Sequence, residues 1–274
     1  MTRTRVIAAL VMAPVAIAAI LLLPTNWMAF FAALVFLTGL WEWLRLAGID
    51  SLPRTILLAL NAALMVLMVW SDGGSVALYP LTALVGILGW VAALGWLRFP
   101  HFGSGSDNAP GRILKLFAGS LAIIPAWAAL VLLHMQGDNG PLWLLTGLVT
   151  VWAADSGAYF AGRAFGRRKL APSISPNKTW EGLAGGVLTA LVVAAGFGAL
   201  AGISLSNLPA LLLVVLVTAL FSVEGDLIES LLKRQAGAKD SGTLIPGHGG
   251  VLDRIDGVLA ALPVFAIGKE IAGF

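Results

Sequence analysis

The chain has 274 residues, 59% of them apolar and only 11% charged, against about 45–50% and about 25% in soluble domains. No water-soluble fold of this size hides that much apolar side chain, and the lack of cysteine excludes disulfides, thiolate catalysis, Cys-ligated zinc and iron–sulfur clusters. The net charge of +3 is small, so the placement of the charges says more than their sum.

Nine apolar segments follow one another: 6–24, 27–46, 54–71, 76–97, 113–134, 142–162, 181–204, 208–232 and 251–272. They approach the roughly 17–25 residues that cross a hydrocarbon core of about 30 Å. Each must be helical, because a backbone amide left unpaired in lipid costs several kcal/mol. Arg3 and Arg5 precede the first run as in a signal peptide. That run is too long for a typical signal core, however, and Pro24-Thr25-Asn26 is not a small-residue cleavage site, so a retained span is expected. Trp27, Trp43, Trp70, Trp96, Trp143 and Trp180 fall near segment ends, as an aromatic belt predicts. The ninth segment is the weakest, since Asp253, Arg254 and Asp256 crowd its start. The expected fold is all-α, a polytopic helical membrane protein with about nine transmembrane helices.

The basic residues orient it. With the N-terminus inside, sixteen of the 17 lysines and arginines lie on the cytoplasmic side and only Lys269 lies outside, a strong positive-inside pattern. A multi-pass protein of the inner (cytoplasmic) membrane, with a cytoplasmic N-terminus, is expected. Asn177-Lys178-Thr179 has the form of a glycosylation sequon, but this orientation places it in the cytoplasm and voids that reading. Residues 1–112 read as N-terminal transmembrane helices with plain loops, including a Gly/Ser-rich connection at 102–110. Residues 113–274 read as a C-terminal transmembrane catalytic domain, because the unusual polar residues gather between 150 and 256.

Asp155 interrupts the sixth segment, and Glu224, Asp226 and Glu229 interrupt the eighth. A charge at bilayer depth costs about 2.5–3.5 kcal/mol on insertion scales, so such acids are candidates for function. Ser222, Asp226, Glu229 and Lys233 recur at helical spacing and share one stripe, and Asp253 and Asp256 share another face. Between them, residues 233–250 form a polar loop with two lysines, an arginine, an aspartate, a histidine and five glycines. Carboxylate oxygens without a Cys or His cluster suit Mg²⁺ or Mn²⁺, not zinc. Gly247-His248-Gly249-Gly250 permits the backbone nests that hold anions, although it is no Walker A loop. Arg163, Arg167, Arg168, Lys169 and Lys178 are either ordinary juxtamembrane charge or a site for an anionic lipid headgroup. Gly162/Gly166 and Gly182/Gly186 read as helix-packing pairs. Acids at metal-ligand spacing and two basic loops on one face suggest chemistry between a polyphosphate and a membrane substrate. Such a reaction depends on positioning and charge neutralisation.

Two blocks carry a resemblance. The first is Ser230-Leu231-Leu232-Lys233-Arg234, then Lys239-Asp240-Ser241-Gly242, then Pro246-Gly247-His248-Gly249-Gly250-Val251-Leu252-Asp253-Arg254-Ile255-Asp256. The second runs from Asp155 through Ala158-Tyr159, Gly162-Arg163 and Gly166-Arg167 to Ser175-Pro176-Asn177-Lys178-Thr179-Trp180-Glu181-Gly182. Together they resemble the phosphatidate cytidylyltransferase family over about residues 152–256. The resemblance implies an enzyme that joins CTP to phosphatidate, releasing pyrophosphate and making CDP-diacylglycerol for phospholipid synthesis. It implies dependence on Mg²⁺ (or Mn²⁺), with K⁺ as a second cation, and a homodimer with no nucleic-acid partner. By the match, Asp226 and Asp253 are metal ligands and Asp256 a supporting one, with Asp226, Asp253, Lys239 and Asp240 at the reacting centre. Lys233, Arg234, Lys239, His248, Gly249, Gly250 and Arg254 would hold the triphosphate, and Ser175, Asn177, Lys178 and Arg163 would contact a phosphate.

Three other functions use similar residues. A CTP-dependent lipid-alcohol kinase would need a base to activate a hydroxyl. A CDP-alcohol phosphotransferase is suggested by Asp253-x-x-Asp256-Gly257, but its remaining motif is missing. An ion-coupled transporter predicts a midplane site and broken helices, whereas these acids gather toward one face.

Overall fold

The computed structural model describes residues 13–71, 77–104, 109–245 and 249–274. The start of the first expected span, most of the Gly/Ser-rich connection, and Gly247 and His248 lie outside them. In chain order the elements are α1 (Ala13–Leu22), α2 (Thr25–Leu46), α3 (Ser51–Ser71), α4 (Leu78–Arg98), α5 (Ala109–Met135) and α6 (Gly140–Phe165). A β-hairpin follows, β1 (Lys169–Ala171) and β2 (Ser175–Thr179), then α7 (Trp180–Leu200), α8 (Leu208–Gln235) and α9 (Leu252–Ala272). Among the described residues six helices, α2, α3, α4, α5, α7 and α8, are long and apolar enough to cross a membrane by length and composition. The chain is a multi-pass α-helical membrane protein. The charges that crowd α9, Asp253, Arg254, Asp256, Lys269 and Glu270, set it apart from those six.

The two-stranded antiparallel hairpin is an addition to the all-helical expectation. Lys169 pairs with Thr179 and Ala171 with Ser175, with an irregularity between the pairs. Strands this short carry too few residues to show a period of two.

α9 is the axis of the bundle. Gly257 through Ala266 are buried on every face, against α2, α4, α5, α6 and α8. It holds Pro263, which has no N–H for the carbonyl four residues earlier. That carbonyl, of Leu259, instead accepts from Trp90 Nε1 on α4 at 3.1 Å. α8 and α9 approach closely because two glycines face the opposing backbone. A Cβ on Gly225 would press on the Asp256 carbonyl and lie 3.2 Å from Ala260, and one on Gly257 would lie 3.2 Å from the Ser222 carbonyl. The same device joins α6 to α7, where Gly162 and Gly182 face each other, a Cβ on Gly182 lying 3.3 Å from Gly162 Cα. The packing role expected of these small residues is what the structure shows.

The tryptophans divide. Trp27, Trp70 and Trp180 are exposed, as a belt requires, but Trp43, Trp96 and Trp143 are buried. Trp43 donates to the Lys115 carbonyl at 2.8 Å and Trp96 to the Phe102 carbonyl at 3.0 Å, so their indole N–H groups are satisfied inside the protein rather than at a lipid headgroup. The aromatic-belt expectation is corrected for these three.

Candidate active site

The carboxyl ends of α2, α6 and α8 and the amino ends of α7 and α9 meet at one end of the bundle, together with the hairpin. α8 stops there because Gly237 adopts φ +65°. This conformation lets Gly237 N–H and Ala238 N–H fold back onto the Arg234 and Lys233 carbonyls at 3.1 and 2.9 Å, satisfying helix-end acceptors. Residues 239–245 and 249–250 follow, and the chain re-enters as α9. At the other entry, Thr179 caps α7, its Oγ1 accepting from Gly182 N at 3.1 Å. Glu181 holds the preceding turn by accepting from Arg167 N, Arg168 N and Arg168 Nε at 3.0 to 3.2 Å.

The polar stripe of α8 forms as its spacing predicts. Asp226, Glu229 and Asp256 bring one carboxylate oxygen each within 4.8 Å of one another. The close α8–α9 approach at Gly225 and Gly257 makes this possible. Ser222 turns back on its own helix, donating to the Ala219 carbonyl at 2.9 Å. Lys178 of β2 pairs with Asp226 at 2.5 Å, and Ser230 Oγ donates to Asp226 Oδ1 at 3.3 Å. Lys233 pairs with Glu229 and also with Asp253 Oδ1 at 2.7 Å.

Asp253 stands apart from the three-acid group. Its Oδ1 takes Lys233, and its Oδ2 accepts from Ser241 N, Ser241 Oγ and Gly250 N at 2.9, 2.9 and 2.7 Å. It ties Ser241 and Gly250 together. Glu229, not assigned a role from sequence, takes its place among the acids: its side chain is 1% exposed and its Oε1 receives no hydrogen bond. A buried carboxylate oxygen without a donor, flanked by two more carboxylates, fits a hard divalent cation with oxygen ligands.

A cleft of about 260 Å³ opens beside this group, lined by Asp155, Tyr159, Asn177, Lys178 and Asp226 and floored by Ala158, Leu170, Leu183 and Val223. Asp155 therefore faces the cleft, opposite Lys178. Ser175 shares β2 with Asn177 and Lys178 but does not line the cleft. Arg163, Arg234, Lys239, Asp240 and Arg254 are exposed around this end of the bundle. Arg163 Nη1 reaches Tyr159 Oη at 3.3 Å, and Arg234 Nε reaches the Ile174 carbonyl at 3.4 Å. Gly249, at φ +86°, accepts from Ile245 N at 3.0 Å. Glu224 is buried on α8, outside both the three-acid group and the cleft.

Sequence reasoning missed Glu42 on α2, whose carboxylate reaches this loop: Oε2 accepts from Ser241 Oγ at 2.9 Å and from Leu252 N at 2.8 Å. The signal that would have found it is a lone acid inside an otherwise apolar segment.

Fold and site together define a class: a multi-pass helical membrane protein that presents clustered carboxylates, lysines and a glycine-rich loop at one end of its bundle. Such a set is suited to handling phosphates. The chain belongs to the cytidylyltransferase family, whose model matches residues 3–271. It is 41% identical to a phosphatidate cytidylyltransferase of Pseudomonas aeruginosa, over 100% of this chain and 99% of that protein. Identity to a phosphatidate cytidylyltransferase of Haemophilus influenzae is 37%, over 97% of this chain and 98% of that protein. A Bacillus subtilis protein of the same name is 48% identical over 45% of this chain.

Proposed function

We propose that this chain is a phosphatidate cytidylyltransferase, joining CTP and phosphatidate into CDP-diacylglycerol and pyrophosphate. Full-length identity to two relatives of that name supports the reading. The observation that carries it onto these residues is the meeting of the Asp226–Glu229–Asp256 carboxylates with Lys178 beside a cleft that joins polar groups, Asp155, Asn177 and Tyr159, to an apolar floor of Ala158, Leu170, Leu183 and Val223. A phospholipid headgroup presents a phosphate on an apolar body, and this cleft offers a cation above aliphatic side chains.

In the reaction a phosphate oxygen of phosphatidate attacks the α-phosphorus of CTP. The new P–O bond forms as the bond to the β-phosphate oxygen breaks, and pyrophosphate leaves with that electron pair. The nucleophile is already ionised, so no general base is required. The obstacle is repulsion: two unit charges 4 Å apart cost about 4 kcal/mol at an effective dielectric of about 20. Lys178 is placed to offset the charge of the lipid phosphate. Lys233, held between Glu229 and Asp253, keeps the acids and the loop in register. Arg234, Lys239, His248, Gly249, Gly250 and Arg254 are assigned to the triphosphate, with Asp240 beside them. Asp226, Glu229 and Asp256 would hold Mg²⁺ or Mn²⁺, which neutralises phosphate charge and polarises phosphoryl oxygens, and K⁺ is kept as the second cation.

The proposal includes a homodimer in the inner membrane, with the N-terminus and the active end of the bundle in the cytoplasm, as the distribution of lysine and arginine supports. The purified protein in mixed micelles, given phosphatidate, radiolabelled CTP and Mg²⁺, is expected to yield a labelled liponucleotide resolved by chromatography. Absence of any CTP-derived lipid, with the protein folded, would overturn the reading.

A further inference from the structure

The mechanism above uses nothing from the first three helices, yet one of them holds the loop on which it depends. Glu42 lies near the end of α2 and is completely buried, at 0% exposure. Its Oε2 accepts from Ser241 Oγ at 2.9 Å and from the N–H of Leu252, the first residue of α9, at 2.8 Å. Arg45, three residues on and on the same side of α2, donates through Nη2 to the Ser241 carbonyl at 2.7 Å. Two α2 side chains thus grip both oxygens of one loop residue. Glycines make room for the carboxylate: a Cβ on Gly242 would lie 2.9 Å from Glu42 Cδ, and one on Gly250 would press on both Glu42 oxygens.

The grip is passed on. Ser241 donates its N–H to Asp253 Oδ2 at 2.9 Å, and Asp253 Oδ1 takes Lys233, which also pairs with Glu229. Ser241 Oγ lies 2.9 Å from both Glu42 and Asp253. A hydroxyl has one proton to donate, so when it serves Glu42 the Ser241 backbone N–H still holds Asp253.

We propose that Glu42 is a positioning residue for the reaction: with Arg45 it pins Ser241, and so fixes the described residues of the loop, 239–245 and 249–250, and Asp253 in the arrangement that receives the triphosphate. The inference rests on the assignment of that loop to the triphosphate. Glu42 works here as a hydrogen-bond acceptor through one oxygen, since both bonds converge on Oε2 while Oε1 receives none. A glutamine can supply the same single acceptor oxygen.

The test uses full-length protein in micelles, with a nitroxide on Thr243→Cys as the sole thiol of this cysteine-free chain. Glu42→Ala and Gly242→Ala are expected to mobilise the label and to raise KM for CTP about tenfold or more, the scale of one or two lost buried hydrogen bonds. KM for phosphatidate should stay within about twofold, since uniform loss of one substrate's binding is read in that substrate's KM. Glu42→Gln should keep the label immobile and KM for CTP within about threefold of the parent. An immobile label in Glu42→Ala, or a Glu42→Gln protein as impaired as Glu42→Ala, overturns the proposal. A mobilised label with KM for CTP unmoved upholds the brace and removes the triphosphate from the loop. If Glu42→Ala does not fold, Gly242→Ala and Glu42→Gln still decide, because the first displaces the carboxylate and the second preserves its bonds.

Discussion

Lys233 touches two acids that do different work. Toward Glu229 it faces the three-carboxylate group, and toward Asp253 it faces the loop. Asp226→Asn and Asp253→Asn should therefore both reduce turnover, by different routes. Losing Asp226 removes a proposed metal ligand, and activity should fall at least about a hundredfold, or about 2.7 kcal/mol. Raising Mg²⁺ should recover part of that loss, since weaker binding is offset by mass action. Losing the Asp253 charge leaves Lys233 with Glu229 alone and loosens Ser241 and Gly250, and extra Mg²⁺ should not restore it. Steady-state rates across a Mg²⁺ titration separate the two. Near-normal turnover of Asp226→Asn at low Mg²⁺ would remove it from the site. Lys233→Ala leaves two carboxylates without their cation, and should lower stability by about 3–5 kcal/mol, read as thermal unfolding in detergent.

At the scale of elements, the site exists because α8 and α9 come close enough to share it. Gly225→Ala would drive a methyl group into the Asp256 carbonyl, so it should cost about 1–3 kcal/mol of stability and widen the acidic group. Its Mg²⁺ requirement should rise along with its loss of thermal stability. Trp90→Phe tests the other support of α9. It leaves the Leu259 carbonyl beneath Pro263 without a donor, and should destabilise by about 1–3 kcal/mol with little change in Mg²⁺ requirement.

Much of this was legible in the chain. The helices stand where the apolar segments lie, and the stripe Ser222–Asp226–Glu229–Lys233 is a consequence of helical spacing alone. The second motif block meets the α8 stripe through Lys178 and Asp226, and the first reaches the hairpin through Arg234 and the Ile174 carbonyl. What could not be read was tertiary. The hairpin is too short for a periodic signal. The choice between Asp253 and Glu229 beside Asp226 and Asp256 depends on which donors the loop brings. The burial of Trp43 and Trp96 depends on the Lys115 and Phe102 carbonyls, and that of Trp143 on Phe274 and Lys269 from the chain's far end. Glu42 looked like part of a plain N-terminal half because its partners lie some 200 positions away.

At the scale of the whole molecule, the groups assigned to catalysis among the described residues lie at one end of the bundle, which the positive-inside pattern would put in the cytoplasm. Cysteines at Ala171 and Ala236 should react with a membrane-impermeant thiol reagent only when the inner membrane is opened, and one at Asn139 should react in sealed cells with a permeabilised outer membrane. Ala236 is the better probe than its neighbour Gly237, whose positive φ strains any side chain. Labelling of Ala171→Cys in sealed cells would invert the orientation.

The central claim, that a lipid phosphate attacks the α-phosphorus of CTP, is tested most directly by following the two ends of the triphosphate separately. Parallel reactions with phosphatidate are run with CTP labelled at the α- or the γ-phosphate, and lipid and aqueous products are counted. Cytidylyl transfer places α-label in the lipid and γ-label in pyrophosphate. Lipid carrying γ-label and lacking α-label would mean that the terminal phosphoryl group had been transferred, and would contradict the account.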